Sequence, residues 1–202
     1  MKKMIAMLLA ALMVMSMVAC SEEPAANPEN PTENNTPETT VPPTTEAPAV
    51  AASALEILET VWAQFGDDEK FFVMGGDFEA MVDGAPGKVT ATNVDFLTGN
   101  LIVPAEQTAN VTDVASLIHA MNANTFTCAA YAVEDAQAFA SAMQAAIQGN
   151  HWMCGFPEKL LIAEVGGYVV VVFGHGDAVT PFQTKLTAAY PTANVLVDEP
   201  IA

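Results

Sequence analysis

Arginine is absent from this sequence, and lysine is scarce. Six Lys and no Arg stand against 24 Asp and Glu, which gives a net charge of −18. Proteins bind nucleic acid mainly by neutralising its phosphates with Lys and Arg, so this composition excludes nucleic acid as a partner. It also excludes electrostatic attraction to anionic lipid, which requires a cluster of basic residues. An acidic surface of this kind favours solubility in an extracellular medium.

Cysteine is nearly absent as well, since the chain contains only Cys20, Cys128 and Cys154. In an exported domain the last two could form a disulfide. Alternatively, each is a free thiol that packs as a small apolar group. We expect two buried free thiols, because both residues lie in apolar, strand-like or turn stretches.

Long apolar runs are missing after residue 19. The run Met4–Ala19 has sixteen residues, fewer than the roughly 20 that a helix needs to cross about 30 Å of hydrocarbon. It follows Lys2 and Lys3 and ends at a small residue. These features predict a secretory signal peptide over residues 1–19.

The junction Met17-Val18-Ala19-Cys20 resembles the lipobox of bacterial lipoproteins, with Met17 where Leu is commonest and Val18 where a smaller residue is usual. The resemblance implies transfer of diacylglycerol to the Cys20 thiol, cleavage before Cys20 and often acylation of the new amine. Each buried methylene contributes about 0.8 kcal/mol, so two or three acyl chains anchor a protein stably. The alternative is an ordinary secretory leader followed by a chance cysteine. We expect lipidation at Cys20, a location on the extracellular face of the cell membrane, and a mature charge of −20 from four Lys and 24 acids.

Residues 20–50 have the composition of a tether. Ser21–Val50 contains seven Pro, six Thr and six Glu and almost no large apolar residue. Such a segment cannot bury enough surface to offset its chain entropy, so we expect it to be disordered. Its reach lies between about 30 Å for a flexible coil and about 90 Å for a polyproline-like rod. It would hold the following domain away from the membrane.

Residues 51–202 are long enough for one globular domain, and we expect a single one. Ser53 and Glu56 have the spacing of a capping box, and the apolar residues that follow repeat at helical intervals. A second helix is predicted over Glu134–Gln148 and a third over about Ala178–Ala189.

Several short apolar runs predict strands, arranged as one single strand and two hairpins: Phe71–Met74; Val114–Met121 with Thr125–Val133; and Leu160–Val165 with Tyr168–Phe173. A helix over Asp113–Met121 is the alternative for the first arm of the first hairpin. Gly166 and Gly167 supply the positive φ angles of a primed turn in the second hairpin. Residues 77–121 are ambiguous, with a strand at Leu101–Val103 and a helical turn at Asn93–Leu97 as the candidates.

The second half therefore follows the order β-(β)-α-β-β-α, preceded by an N-terminal helix. An antiparallel sheet with helices packed mainly on one face is the simplest layered arrangement of these elements. The run Val169–Val172 does not alternate with polar residues, so we expect its strand to be covered on both faces. The sequence predicts an α+β fold.

Three stretches, Met121–Cys128, Trp152–Ile162 and Thr187–Pro191, resemble small uncharacterised lipoproteins of gut Clostridia. They are more distantly similar to a clostridial domain of unknown function that is sometimes labelled bacteriocin transport accessory protein. The resemblance covers most of Leu55 to Pro191. It implies a Gram-positive, anaerobic host and an exported α+β domain, and it supplies no catalytic residue.

The residue types of a metal site occur in His151, Cys154 and His175, with Glu158 as an additional acid. Zinc commonly takes four ligands at close spacings. Here the sequence offers at most three His and Cys ligands, and Glu158 would have to be the fourth. These are weak candidates, so we predict no metal and no cofactor. We expect a turn in which Trp152 packs and His151 is solvated.

Cys154, His175 and Asp177 have the residue types of a nucleophile, a base and an orienting acid. Their spacing does not establish that they meet. Ser116 and Ser141 lack the Gly-x-Ser-x-Gly context of a hydrolase nucleophile. The sequence therefore predicts no catalytic residue.

The acidic stretches Asp67–Glu69 and Asp77–Asp83 lack the alternating ligands and closing Glu of a calcium loop, so we expect solvated loops. Gly75-Gly76 and Gly174-His175-Gly176 lack the strand-to-helix phosphate pattern with a following Lys. The sequence gives no support to nucleotide binding.

The sequence thus favours a non-enzymatic, membrane-tethered extracellular module that binds a protein or a small molecule. The first alternative is a cell-surface thiol enzyme that uses Cys154 and His175. The second is an accessory subunit of a transport or envelope system.

Overall fold

The computed structural model describes Ala51 and residues 53–202. The predicted signal peptide, Cys20 and the predicted tether lie outside the described residues. No helix in the part that is described is long and apolar enough to cross a membrane.

The first helix, α1 (Ala54–Trp62), begins where the sequence predicts. Ser53 is its N-cap, and the Ser53 hydroxyl accepts a hydrogen bond from the Glu56 backbone N–H at 3.1 Å. This bond satisfies one of the N–H groups that have no partner within the first turn of a helix. The apolar face of α1 is buried against the sheet.

Eight strands form one sheet: β1 (Val73–Gly75), β2 (Val82–Asp83), β3 (Gly87–Val89), β4 (Asp113–His119), β5 (Phe126–Ala132), β6 (Lys159–Val165), β7 (Tyr168–Gly174) and β8 (Asn194–Pro200). Every pairing is antiparallel. The strand order is β2-β1-β4-β5-β7-β6-β8, and β3 pairs with β4 beside β1. Three further helices connect the strands: α2 (Val94–Gly99), α3 (Ala136–Gln148) and α4 (Gly176–Ala189). The α+β class and the antiparallel sheet are confirmed.

Both predicted hairpins form. Strands β4 and β5 pair from Asp113 opposite Ala132 to Ile118 opposite Thr127, so the alternative helix over this stretch is wrong. Strands β6 and β7 join through Gly166 and Gly167, whose φ angles are 56° and 90°. Positive φ at both turn residues matches the twist of the paired strands, and glycine adopts it without steric cost.

The predicted layering of the helices is corrected, because helices cover both faces of the sheet. Leu161 and Ala163 of β6 belong to a core with α1 and α4, whereas Leu160 and Ile162 belong to a second core with α2 and α3. The physical reason is the unbroken apolar runs Leu160–Ala163 in β6 and Val169–Phe173 in β7. A strand without polar alternation is stable only when both faces are buried, as we expected for Val169–Val172.

Strand β8 was not predicted. It pairs with β6 and forms an edge of the sheet, with an irregularity in the pairing between Ile162 and Ala163. Its residues are exposed or half-buried, and it contains Asp198, Glu199 and Pro200. Charged residues and proline are typical of edge strands, and they weaken the apolar signal by which strands are recognised in a sequence.

The segment Leu101–Val103 is a loop, not the strand that was considered for it. Leu101 and Val103 are buried, and their backbone N–H groups donate to carbonyl groups of α2. Ile102 between them has a φ of 58°, an uncommon conformation for a β-branched residue. The apolar run therefore fills the second core as an irregular segment. The helical turn considered at Asn93–Leu97 is confirmed as the start of α2, with Asn93 as its N-cap.

The two ends of the sheet are defined by the directions of its central strands. Strands β4 and β7 both run antiparallel to β5, so their carboxyl ends lie together beside the amino ends of β5 and β6. We call this the distal end. Ala51 lies at the opposite end: a Cβ atom built on Gly166 would lie 3.5 Å from the Ala51 nitrogen, and the Ala54 N–H donates to the Asp113 carboxylate at 2.9 Å.

Candidate functional site

All three histidines lie at or near the distal end of the sheet. His119 is the last residue of β4, and His175 follows β7 as the N-cap of α4. His151 and Cys154 lie on the loop between α3 and β6. The topology therefore gathers these groups at one end, although they are far apart in the sequence.

The three weak metal candidates, His151, Cys154 and His175, do not form a metal site. Within the described residues, no group of three or more His, Cys, Asp or Glu side chains is placed to hold a metal ion. His151 is exposed, and Trp152 beside it packs on Phe173 with a centroid distance of 5.5 Å. The prediction that Trp152 packs while His151 is solvated is confirmed.

The nucleophile, base and acid that the sequence could supply are also not assembled. His175 and Asp177 line the same cleft, and Cys154 is not among its lining residues. In the described part of the chain, no hydrogen bond joins the Cys154 sulfur to His151 or His175. The geometry thus does not place the thiol next to a base.

The two cysteines of the domain are free and differ in environment. Cys128 is buried in the first core, and burial raises the pKa of its thiol well above the usual value. Cys154 is exposed. The expectation of two buried thiols is therefore right for Cys128 and wrong for Cys154, because Cys154 lies in a loop that leaves its side chain at the surface.

The serines without a hydrolase motif have structural roles. Ser116 is fully buried in β4 and donates its hydroxyl to the Gly76 carbonyl oxygen at 3.0 Å. Ser141 is exposed on α3 and donates to the Gln137 carbonyl oxygen one turn earlier. Neither hydroxyl is paired with an imidazole in the described structure.

Two clefts open at the distal end on either side of His119. The first, which we call the apolar cleft, has a volume of about 200 Å³. The second, which we call the histidine cleft, has a volume of about 340 Å³. The principal lining residues of the apolar cleft are Met74, Phe78, Met81, Phe96, Ile118 and Met121. Those of the histidine cleft are Phe71, His119, Asn122, Thr125, His175 and Asp177.

The His119 imidazole is held in one orientation between these clefts. Its ring stacks on Phe71, with centroids 5.9 Å apart and planes 17° apart. Its Nδ1 atom accepts hydrogen bonds from the backbone N–H groups of Met121 and Asn122 at 3.2 and 3.3 Å. The neutral ring therefore carries its proton on Nε2. His119 fixes the turn after β4 and so positions Met121.

Asp77 supports the loop that lines the apolar cleft. It is almost fully buried, which corrects the expectation that the whole stretch Asp77–Asp83 is a solvated loop. Its carboxylate accepts hydrogen bonds from the backbone N–H groups of Thr90 at 2.8 Å, Glu79 at 3.1 Å and Ala80 at 3.2 Å. These bonds, the one from Thr90 most of all, lower the pKa of Asp77.

The loop of residues 150–157 is fastened to the turn after β4. The Asn124 side-chain amide donates to the Cys154 carbonyl oxygen at 2.6 Å. Gly155 has a φ of 63° and lies so close to the Asn122 side chain that a Cβ atom there would clash. This close packing brings Met153 and Phe156 beside the turn that carries Met121.

Large exposed apolar side chains are concentrated at this end. Nine large hydrophobic residues are exposed in the described structure, and six of them lie on segments that border the distal end. Their exposed fractions range from 55% for Phe72 to 90% for Met153. We call the six the apolar end: Phe72, Phe78, Met81, Met121, Met153 and Phe156.

Sequence reasoning did not identify this surface. Its residues come from four segments: Phe72 precedes β1, Phe78 and Met81 lie between β1 and β2, Met121 follows β4, and Met153 and Phe156 lie in the loop of residues 150–157. Phe72 and Met121 belong to runs that the sequence predicts as strands, whereas the other four lie in segments that read as turns, where polar residues are usual. No local pattern indicated that the four segments meet.

The comparisons with known proteins give no relative: the chain matches no protein-family model, no curated protein and no solved structure.

Proposed function

We propose that the mature protein is a non-enzymatic binding module on the extracellular face of the cell membrane, anchored through lipid on Cys20. Residues 20–50 act as its tether. The binding surface is the apolar end together with the two clefts beside His119. The ligand is a molecule or protein segment with an apolar part that covers this surface.

The observation that carries the proposal is that six exposed Phe and Met side chains lie on segments bordering one end of the sheet, and that three of them, Phe78, Met81 and Met121, line the apolar cleft. Single exposed apolar residues are common on protein surfaces, whereas contiguous groups beside a cleft are typical of binding sites. The side chains are also held by a built framework. His119 fixes one turn, Asp77 another, and Asn124 fastens the loop of residues 150–157.

The position of Ala51 is consistent with this assignment. The chain enters the domain beside Gly166, at the end of the sheet opposite the clefts. The intervening strand β4 has seven residues, which corresponds to about 20 Å at roughly 3.3 Å per residue. Ala51, to which the preceding residues are joined, therefore lies away from the apolar end.

A neutral apolar dye tests the binding surface. We expect the chain from Ser21 onward to enhance the fluorescence of Nile red, and Met121→Gln with Phe78→Gln to remove most of that enhancement. Both side chains are largely exposed, so the substitutions should preserve folding. Val195→Gln, an exposed position on β8, serves as the matched control. Equal enhancement by all three proteins would contradict the proposed surface.

The anchor is tested separately. Cys20→Ala should abolish labelling by radioactive palmitate and release the protein into the medium, because the thiol that receives the lipid is gone. Membrane retention that is unchanged in Cys20→Ala would show that another feature holds the protein.

A further inference from the structure

We propose that the partner of the apolar end is a cationic amphipathic peptide segment, either free or exposed on another protein. This inference rests on the proposed binding function and specifies its ligand class. It is drawn from two properties of the same surface, namely the chemistry of its apolar side chains and the charge that surrounds them.

The apolar contribution comes from three Phe and three Met side chains. Phe offers a rigid ring with a large contact area. Met is unbranched and polarisable, and it adapts to ligands of different shape. Met81 and Met121 line the apolar cleft, and Met153, which is 90% exposed, lies on the loop that is fastened to the turn after β4. Surfaces of this kind accept the apolar face of an amphipathic helix, whose large residues recur at intervals of three and four.

The charge of the domain selects a cationic partner. From residue 51 onward, four Lys stand against eighteen Asp and Glu, a net charge of −14. Three of the lysines are paired with carboxylates: Lys88 with Asp113 at 3.6 Å, Lys159 with Asp198 at 2.9 Å, and Lys185 with Glu69 at 3.1 Å. The fourth, Lys70, lies 5.9 Å from the centroid of the Trp62 ring.

Acidic residues that form no ion pair within the described part of the chain lie on segments at the distal end, and no lysine lines either cleft. Glu79 follows Phe78 and is exposed. Asp177 lines the histidine cleft. Glu158 lies two residues after Phe156 and accepts a hydrogen bond from the first N–H of α4 at 2.9 Å. A peptide with lysines beside its apolar face would meet these carboxylates as its apolar side chains enter the cleft.

The same charge disfavours other occupants. An anionic membrane surface and a second copy of this chain are both negatively charged, so each would be repelled. A neutral apolar ligand would gain nothing from the surrounding carboxylates. A cationic amphipathic peptide satisfies both the apolar and the electrostatic requirement.

Three synthetic peptides of one length test the inference against the immobilised full-length chain. The first is an amphipathic helix of Lys and Leu, the second replaces each Lys by Glu, and the third replaces each Leu by Ser. We expect the Lys–Leu peptide to bind at least about tenfold more tightly than either of the others. We also expect its affinity to fall about tenfold between low salt and roughly 0.5 M NaCl, because salt screens the attraction.

Matched variants locate the binding. Met121→Gln with Phe156→Gln should weaken binding of the Lys–Leu peptide about tenfold, and Glu79→Gln with Asp177→Asn should reduce its salt dependence. Val195→Gln should change neither. Failure of the Lys–Leu peptide to bind, or affinity that Met121→Gln with Phe156→Gln leaves unchanged, would overturn the inference.

Further outcomes distinguish a wrong partner class from a wrong binding surface. If the Glu–Leu peptide binds as tightly as the Lys–Leu peptide and Met121→Gln with Phe156→Gln weakens both, the binding surface stands and the cationic partner is wrong. If the chain binds phosphatidylglycerol vesicles more tightly than it binds the Lys–Leu peptide, the partner is a lipid surface. If the chain self-associates through Met121 and Phe156, the partner is a second copy. If Met121→Gln with Phe78→Gln removes the Nile red response and the wild-type chain binds none of the peptides, the binding surface stands and only the cationic peptide is rejected as its partner.

Discussion

At the scale of single residues, the candidate site depends on polar groups that hold apolar ones in exposed positions. Asp77 and His119 each accept several backbone hydrogen bonds, and each bends the chain so that neighbouring Phe or Met side chains project outward. The role of Asp77 could not be predicted from the sequence. It lies in an acidic stretch that reads as a solvated loop, and only the fold brings Thr90 to its carboxylate.

Asp77→Ala should lower the free energy of unfolding by about 2 kcal/mol, because three backbone N–H groups lose a charged acceptor. Since hydrogen bonding lowers the pKa of Asp77 in the folded protein, its contribution is fully present above the unfolded pKa of about 4. The contribution is lost as the pH falls through the folded pKa. Urea unfolding at neutral and acidic pH should therefore show a difference between wild type and Asp77→Ala that shrinks on acidification.

Glu79→Gln is the control for this experiment, since it alters an exposed acid in the same turn and should change stability by less than about 0.5 kcal/mol. A difference between wild type and Asp77→Ala that grows as the pH falls would refute the proposed role of the Asp77 carboxylate.

At the scale of secondary-structure elements, those specified by interactions between residues near in the sequence were predicted, and those specified by contacts between distant segments were not. The hairpins β4–β5 and β6–β7 and the helices α1, α3 and α4 have local apolar patterns, caps or turn glycines, and all were predicted. Strand β8 and the coverage of both sheet faces depend on contacts between distant segments. The apolar end depends on such contacts as well, because Asn122 and Asn124 position a loop that lies some thirty residues away.

The junction of β7 and α4 shows how closely these elements approach at the site. Gly174 has a φ of 150°, and a Cβ atom on it would clash with the Thr125 carbonyl oxygen. That same oxygen accepts the His175 N–H at 2.9 Å. Gly174→Ala should therefore destabilise the protein by about 3 kcal/mol through backbone strain and overpacking, which chemical unfolding would measure.

Gly99→Ala is the matched control, because a Cβ atom there has no neighbour within 4 Å. Alanine is also the better helix former, so this change should leave stability unaltered or raise it by up to about 1 kcal/mol. Equal stability of Gly174→Ala and wild type would mean that the close approach of β7 to Thr125 is not maintained in solution.

At the scale of the whole molecule, charge is the dominant property. The domain carries −14, and its lysines are engaged by Asp113, Asp198, Glu69 and the Trp62 ring. Most of the remaining acids repel one another across the surface, which opposes the compact state. This property, unlike the apolar end, could be read directly from the composition.

Salt should therefore stabilise the folded domain. Raising NaCl from low concentration to roughly 0.5 M shortens the Debye length to a few ångströms and screens the repulsion. We expect a gain of about 1 kcal/mol, or about 3 °C in Tm by differential scanning calorimetry. A Tm that falls with salt would show that the three internal ion pairs outweigh the repulsion.

The central claim, that the apolar end is the binding surface, is tested most directly by methyl NMR of the chain from Ser21 onward. That chain retains five methionines. Met81, Met121 and Met153 are exposed at the distal end, and Met143 is fully buried. Titration with octyl glucoside below its micelle concentration should shift the methyl signals of Met81, Met121 and Met153 and leave that of Met143 in place. Shifts that are absent at those three methionines, or equally large at Met143, would contradict the claim.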